Sequence, residues 1–297
     1  MTGLSFIWTP NSGLGLTDTF EIGVEDGSRN KLLFGQFSGF SGADTSEYTS
    51  KSAYQNGQTF YAQQASERSI SFSFRVTGDS YNDLNLRKAE ISQYFAPIVG
   101  EGTLRVNFPD GRTYDINAVP FGAPIFNDRA ANAKHATNCT IFLTAYNPFW
   151  FDPDLNSYSI AVFDGGFTVP FTLPFALGMR GMATLTNTGH VPSPATITVP
   201  GPTTNPVIEN LRTGEKISIT KTLLADEYLT ISTSFDNPLV TYTDAFGNSS
   251  SLLSAVSADS EFWSLQPGDN IISLIDTTAL GSNPVIIEWY NQYWGIL

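Results

Sequence analysis

The chain has 297 residues, enough for two domains, and can bury roughly 75% of the surface it exposes when unfolded without a metal or disulfide staple. Charged residues make up 14% and aromatic residues 13%, a weakly charged surface and a balance that favours many short strands over a helical bundle. A net charge of −13 argues against neutralising nucleic-acid phosphates, and the single cysteine, Cys139, excludes an internal disulfide and reads as a buried thiol.

The opening residues, MTGLSFIWTPNSG, have neither the basic region nor the apolar stretch of a secretory signal. No segment reaches the roughly 18 apolar residues of a membrane span. Synthesis as a soluble cytoplasmic protein is therefore expected. Charge is unevenly placed. Residues 1–150 hold 11 Lys/Arg against 14 Asp/Glu, a balance of −3, whereas residues 151–297 hold 4 against 14, a balance of −10. Such a surface is compatible with DNA sliding past it without sticking.

In chain order, Phe20, Ile22 and Val24 alternate with polar or small residues and predict a strand. Gly39 to Gly42 reads as a flexible loop rather than a phosphate cradle. The run Ser69 to Val76 is stronger: Ile70, Phe72, Phe74 and Val76 alternate with polar residues, so one face is buried and the other wet. Ser80-Tyr81-Asn82-Asp83 resembles a capping box, and Leu84, Ile91 and Phe95 share one face of a helix of about 13 residues that Pro97 closes. Leu104, Val106 and Phe108 lead into the turn Pro109-Asp110-Gly111-Arg112 and out through Tyr114 and Ile116, a hairpin.

The segment 147–155, NPFWFDPDL, crowds two prolines and two aspartates around an aromatic cluster, where regular structure should stop. An apolar stretch rich in Phe, Pro and Gly follows from Val162 to Met182. Beyond it the pattern is all β. Short runs at 195–199, 206–210, 216–219, 227–233, 239–243, 270–275 and 285–290 are separated by turn residues, as in a β-sandwich or jelly roll.

A catalytic cluster is absent from this pattern. His135 and His190 have no second His or Cys at ligand spacing, which makes zinc a poor fit. Asp152 with Asp154 and Asp226 with Glu227 are the visible carboxylate pairs for glycoside hydrolysis. Adjacent strand residues face opposite sides, and Asp152 and Asp154 flank Pro153 in a turn, so neither pair reads as a site. Asp236, Asn237, Asp244 and Asn248 offer oxygen ligands without the loop spacing of a calcium site, and turn chemistry explains them better. No G-x-S-x-G, P-loop or dinucleotide-binding motif stands in a strand-turn-helix context. The chain is expected to be no enzyme, with no cofactor, no metal and no catalytic residue.

Taken in order, several landmarks resemble the distal tail protein (Dit) family of siphophages. They begin with Arg68 before the alternating strand, the basic pair Arg87-Lys88 on the helix and the Leu104 hairpin. AYNPFW (Ala145 to Trp150) marks the joint, followed by FTLPF (Phe171 to Phe175), the turn Asn187-Thr188-Gly189 and Pro194-Ala195-Thr196-Ile197. VIENLRTGEKISI (Val207 to Ile219), SLQPGDNII (Ser264 to Ile272) and the aromatic end IIEWYNQYWGIL complete the series. The resemblance implies a mainly β chain of two domains. Residues 1–152 would be an α+β ring-forming domain with one helix, and residues 153–297 a galectin-like β-sandwich. It also implies a baseplate hub in the virion: a hexameric ring at the tail tip, with a channel for DNA. The partners implied are further copies of the chain, the tail-tube protein, a tail-associated lysin or fibre protein and the tape-measure protein. The near-neutral first half suits ring contacts, and residues 1–152 alone are expected to form the ring.

The alternative is a carbohydrate-binding module recognising host cell-surface glycans, with Trp263, Trp289, Tyr290, Tyr293 and Trp294 as stacking candidates. Trp289 falls in register with Val285 and Ile287, however, and so reads as core.

Overall fold

The computed structural model describes residues 3–10, 19–23, 30–127, 135–160, 180–275 and 284–297. Val24, most of the stretch from Val162 to Met182 and the FTLPF segment lie outside them. The chain divides into two compact units, Met1–Pro153 with Tyr293–Leu297, and Asp154–Gln292.

The first unit carries strands β1 (Ser5–Pro10), β2 (Phe20–Ile22), β3 (Asn30–Ser38), β4 (Thr45–Ser50), β5 (Thr59–Ala65) and β6 (Arg68–Thr77). Helix α1 (Tyr81–Tyr94) follows, then β7 (Gly102–Asn107), β8 (Thr113–Pro120), β9 (Ile125–Asn127), β10 (Ala136–Ala145) and β11 (Trp150–Phe151). The sheet runs in the order β2-β1-β7-β8-β10-β6-β3, while β4 and β5 pair with each other in a separate two-stranded ribbon. Ile70, Phe72, Phe74 and Val76 all point into the core, as their alternation predicts, and β10 matches them with Cys139, Ile141 and Leu143. Phe6 stacks on Phe40, and Phe40 on Trp150, at 5.3 and 5.4 Å between ring centroids. Aromatic area of this kind, stacked in pairs, carries much of the burial energy.

Helix α1 starts where the sequence places its cap. The Asp83 N–H donates to Ser80 Oγ at 3.1 Å, and the Asp79 N–H donates to Asp83 Oδ2 at 2.9 Å. Leu84, Ile91 and Tyr94 bury the inner face, and Phe95 is buried at the C-cap. Replacing Ser80 with Ala leaves the Asp83 N–H without its acceptor and should cost about 1 kcal/mol, read as a lowered denaturant midpoint at unchanged slope.

The regular elements among the second unit's described residues are all strands apart from one 3₁₀ turn, Leu253–Ala255. In order it has β12 (Asn156–Ile160), β13 (Arg180–Asn187), β14 (Ala195–Pro200), β15 (Thr203–Thr204), β16 (Val207–Asn210) and β17 (Glu215–Ser218). Then come β18 (Thr222–Leu223), β19 (Tyr228–Ser232), β20 (Leu239–Thr243), β21 (Ser249–Ser251), β22 (Gly268–Ile275) and β23 (Val285–Trp289), while β24 (Gln292–Tyr293) pairs with β11 in the first unit's sheet. One sheet has the order β12-β23-β14-β19-β20-β21 and the other β13-β22-β16-β17. Ile197, Ile231, Val240 and Ile287 from the first meet Leu185, Ile208, Ile217 and Ile272 from the second in one core. Two sheets sharing a single core make a sandwich. A mainly β chain with one α-helix and two domains is thus what the described residues form. No helix among them is long and apolar enough to cross a membrane.

Candidate functional site

The residues weighed for chemistry do not converge. His135 and His190 are both exposed, one before β10 and one after the Asn187-Thr188-Gly189 turn. Asp152 accepts a hydrogen bond from the Tyr293 hydroxyl at 3.0 Å, and Asp154 is exposed. Asp226 sits at a turn with φ of 67°, while Glu227 accepts from the Leu224 N–H at 2.8 Å and from the Tyr242 hydroxyl at 2.7 Å. Those two bonds, the backbone one foremost, hold the Glu227 carboxyl below its ordinary range, and the Glu227 bond pushes the Tyr242 hydroxyl up to about 12. Asp244 accepts from the N–H groups of Phe246 and Asn248 and from the Asn248 side chain, each at 2.9 Å. It closes a turn, as its chemistry predicts. Among the described residues no three His, Cys, Asp or Glu side chains gather as metal ligands would. Burial pushes the Cys139 thiol up to about 12, far from a reactive thiolate.

The aromatic residues weighed for glycan stacking are mostly spent on packing. Trp263 and Trp289 are buried in the second unit, and their indole N–H groups donate to Ile208 O and Asn291 Oδ1. Trp289 shares its face with Val285 and Ile287, the core register expected of it. Trp294 and Tyr293 pack in the first unit against Phe149 and Tyr114. Of the five, Tyr290 alone is exposed, at 40%. Trp289→Ala should lower the second unit's stability by about 3–5 kcal/mol, as a core cavity does, in a denaturant titration.

The most tightly built polar centre among the described residues is Arg68, which its place at the head of β6 marks in the sequence without revealing its partners. It is 1% exposed. Its Nε donates to Pro148 O at 2.7 Å, Nη1 to Gly39 O at 2.7 Å and Nη2 to Trp294 O at 2.6 Å. The guanidinium also lies 5.9 Å from the centre of the Trp150 ring. Burial lowers it to about 10, with the charge of Asp44 working the other way. Arg suits this role because its planar fork reaches several carbonyls at once. The site gathers the Gly39 loop, the aromatic joint and the chain's last residues. Nearby, the Ile296 N–H donates to Phe40 O at 2.9 Å, and a Cβ at Gly295 would collide with Ser41 O. This centre fixes backbone and offers no reacting group.

What remains exposed is surface suited to assembly. Tyr48, Tyr54, Phe60 and Tyr61 stand out on the β4–β5 ribbon, and Phe121, Ile125, Phe142 and Tyr146 on and beside β9 and β10. Large apolar side chains left in water in such numbers mark contact surfaces better than they mark a pocket.

Two family models match the chain. The phage tail protein RIFT-related domain matches residues 25–176, and the siphovirus-type tail component, C-terminal domain, matches residues 188–293. No curated protein sequence matches. Among solved structures the chain is similar to the Dit protein (gp 19.1) of phage SPP1, described as a paradigm of the hub adsorption apparatus in phages infecting Gram-positive hosts. That likeness has 14% identity and a TM-score of 0.62, and covers 88% of this chain and 93% of that one. Chains of the phage P2 baseplate in its activated conformation are also similar. With Ca the identity is 10% and with Sr 11%; in both cases the TM-score is 0.54 and 99% of each chain is covered. At these identities the likeness is one of fold. The family matches carry the assignment: the chain belongs to the siphovirus-type phage tail component family, and it is a structural protein of the virion, at the distal end of the tail.

Proposed function

We propose that the chain closes into a hexameric ring that joins the tail tube to the adsorption apparatus and leaves a channel through which DNA passes. The observation that carries this reading is the match of fold across both domains to the SPP1 Dit protein, a hub by its description. Charge supports it: residues 1–150 carry a balance of only −3, so copies of the first unit meet without strong like-charge repulsion. The acidic remainder, at −10, suits an outward, solvated face. Partners in this reading are further copies of the chain, the tail-tube protein, a tail-associated lysin or fibre protein, and the tape-measure protein. The role is positional, with no catalysis and no cofactor.

Electron microscopy of the purified full-length protein tests this reading. Particles with a central hole and hexameric symmetry are the expected result, and compact particles without a hole, at concentrations where the protein self-associates, would sink it.

A further inference from the structure

We infer that Asn56, at the turn of the β4–β5 ribbon, is a site of spontaneous deamidation, so that the chain acquires an aspartate or isoaspartate there as it ages. The reactants are the Asn56 side-chain amide, the backbone nitrogen of Gly57 and water.

The Gly57 nitrogen loses its proton to base and attacks the Asn56 side-chain carbonyl carbon. A bond forms between that nitrogen and Cγ, the bond from Cγ to Nδ2 breaks, and Nδ2 takes a proton from water and leaves as ammonia. The resulting succinimide then takes up water and reopens at either carbonyl. One opening gives aspartate, and the other gives isoaspartate, in which the main chain runs through the side chain. No atom is oxidised or reduced. The nitrogen is reached best where its residue has no Cβ to obstruct the approach, where its N–H is not held in a hydrogen bond, and where the backbone is free to fold back.

Asn56 is the chain's only asparagine followed by glycine, and the turn meets each of these conditions. The β4–β5 ladder closes at Ser50 and Thr59, so residues 51–58 lie outside it. Asn56 and Gly57 are both exposed, and a Cβ at Gly57 would have nothing within 4 Å. The bonds of the turn belong to its neighbours. The Gln55 N–H donates to Ser52 O at 3.1 Å, the Ser52 N–H to Gln55 Oε1 at 3.0 Å, and Gln55 Nε2 to Thr59 Oγ1 at 2.9 Å. Among the described residues neither the Gly57 N–H nor the Asn56 amide has a hydrogen-bond partner. Gly57 has a φ of 81°, a conformation glycine takes freely.

Comparable positions elsewhere are held. Asp110-Gly111 could close the same ring by losing water, but the Gly111 N–H donates to Phe108 O at 3.0 Å. Asp110 in turn accepts from the Arg112 N–H at 3.1 Å and from Arg112 Nε at 2.7 Å. Those bonds, the backbone one foremost, keep its carboxyl below the ordinary range, and an ionised carboxylate is a poor electrophile. Asn248, followed by serine, donates its amide to Asp244 Oδ2 at 2.9 Å, and Asn156, also followed by serine, donates to Trp289 O at 3.4 Å. At Asn56 the change also alters local charge. The ribbon from Thr45 to Ala65 carries one acid, Glu47, and one base, Lys51, so a new carboxylate turns a neutral hairpin into an anionic one.

The test keeps full-length protein at body temperature and mildly alkaline pH for days, beside a sample at mildly acidic pH, and maps both by mass spectrometry after digestion in acid. The peptide containing Asn56 is expected to gain about 1 Da, the difference between an amide and a carboxylic acid, and to split into two forms of equal mass. The gain should come sooner at alkaline pH, because the nucleophile is the deprotonated nitrogen, and should add a more acidic band on isoelectric focusing. Asn56→Gln, an exposed substitution that should keep the wild-type melting transition, is expected to lose both signals, since its longer side chain closes a ring far more slowly. An Asn56 that stays an amide throughout overturns the inference, and conversion in urea-unfolded protein alone does so by showing that the folded turn withholds the nitrogen. Equal conversion at Asn248 or Asn156, or an acidic band that persists in Asn56→Gln, overturns it as well.

Discussion

A chain ending at Gln292 is expected to lose stability in its first unit, although the residues removed are the last in the sequence. Deleting 293–297 takes away Ile296, which is 4% exposed, and the contact of its N–H with Phe40 O. It also takes the Trp294 carbonyl from Arg68 Nη2 and the Tyr293 hydroxyl from Asp152, and exposes Tyr114, whose ring meets that of Tyr293 at 5.1 Å. Uncovering a buried Ile costs about 1.5–3 kcal/mol. Leaving a buried guanidinium one acceptor short costs about 2 kcal/mol more. A total of about 3.5–5 kcal/mol corresponds to a drop of about 7–20 °C in the melting temperature of a domain this size. Hydrogen exchange locates the loss: amides of β6 and β10 should exchange faster, while those of β14 and β19 stay protected. A fragment of residues 1–152 lacks the same tail. It is therefore expected to be far less stable than the same fragment carrying residues 293–297 on a flexible linker. Equal stability of the two would contradict this account of the Arg68 centre.

Arg68→Met should produce the second large effect. The substitution keeps much of the volume but leaves three carbonyls, the buried one of Pro148 and the part-buried ones of Gly39 and Trp294, without their donor. Each orphaned carbonyl costs about 1–3 kcal/mol, so a loss of about 4 kcal/mol is expected in a denaturant titration. Arg68→Lys should recover little of it, because an ammonium on a flexible stem does not reproduce a three-way planar fork. Combined with deletion of 293–297, Arg68→Met should cost clearly less than the sum of the two, since both changes break one network. Strict additivity would mean that the tail is held by something other than Arg68.

The elements that sequence reading recovers are those whose pattern is set by burial of one face. Ile70 to Val76 alternate because β6 lies inside a sheet with its even positions in the core. The 195–199 and 239–243 runs alternate for the same reason in the sandwich. Ser80 and Asp83 mark the start of α1 because a cap is local chemistry. The β4–β5 ribbon escapes such reading, since TSEYTS and TFYAQQA bury neither face and so carry no period. Strands β15, β18 and β21 escape because two or three residues are too few to show one.

The Arg68 centre is legible only in part. Arg68 stands out as a landmark at the head of its strand, yet its bond to Trp294 spans 226 residues of sequence. No local signal announces a contact at that separation. Gly295 is the nearest thing to one. Its place against the Ser41 carbonyl tolerates no Cβ, but a glycine near a chain end carries no such message in the sequence, where glycine serves turns and loops everywhere. The Asp152–Asp154 segment shows the converse. Its two carboxylates invite a catalytic reading, whereas Asp152 serves to anchor Tyr293.

The measurement that tests the central claim most directly is the solution mass of the full-length protein, by light scattering over a concentration series. The account predicts a mass near that of a hexamer of the 32.3 kDa chain, sharpening as concentration rises. A mass of one chain at every concentration would contradict a self-assembling ring.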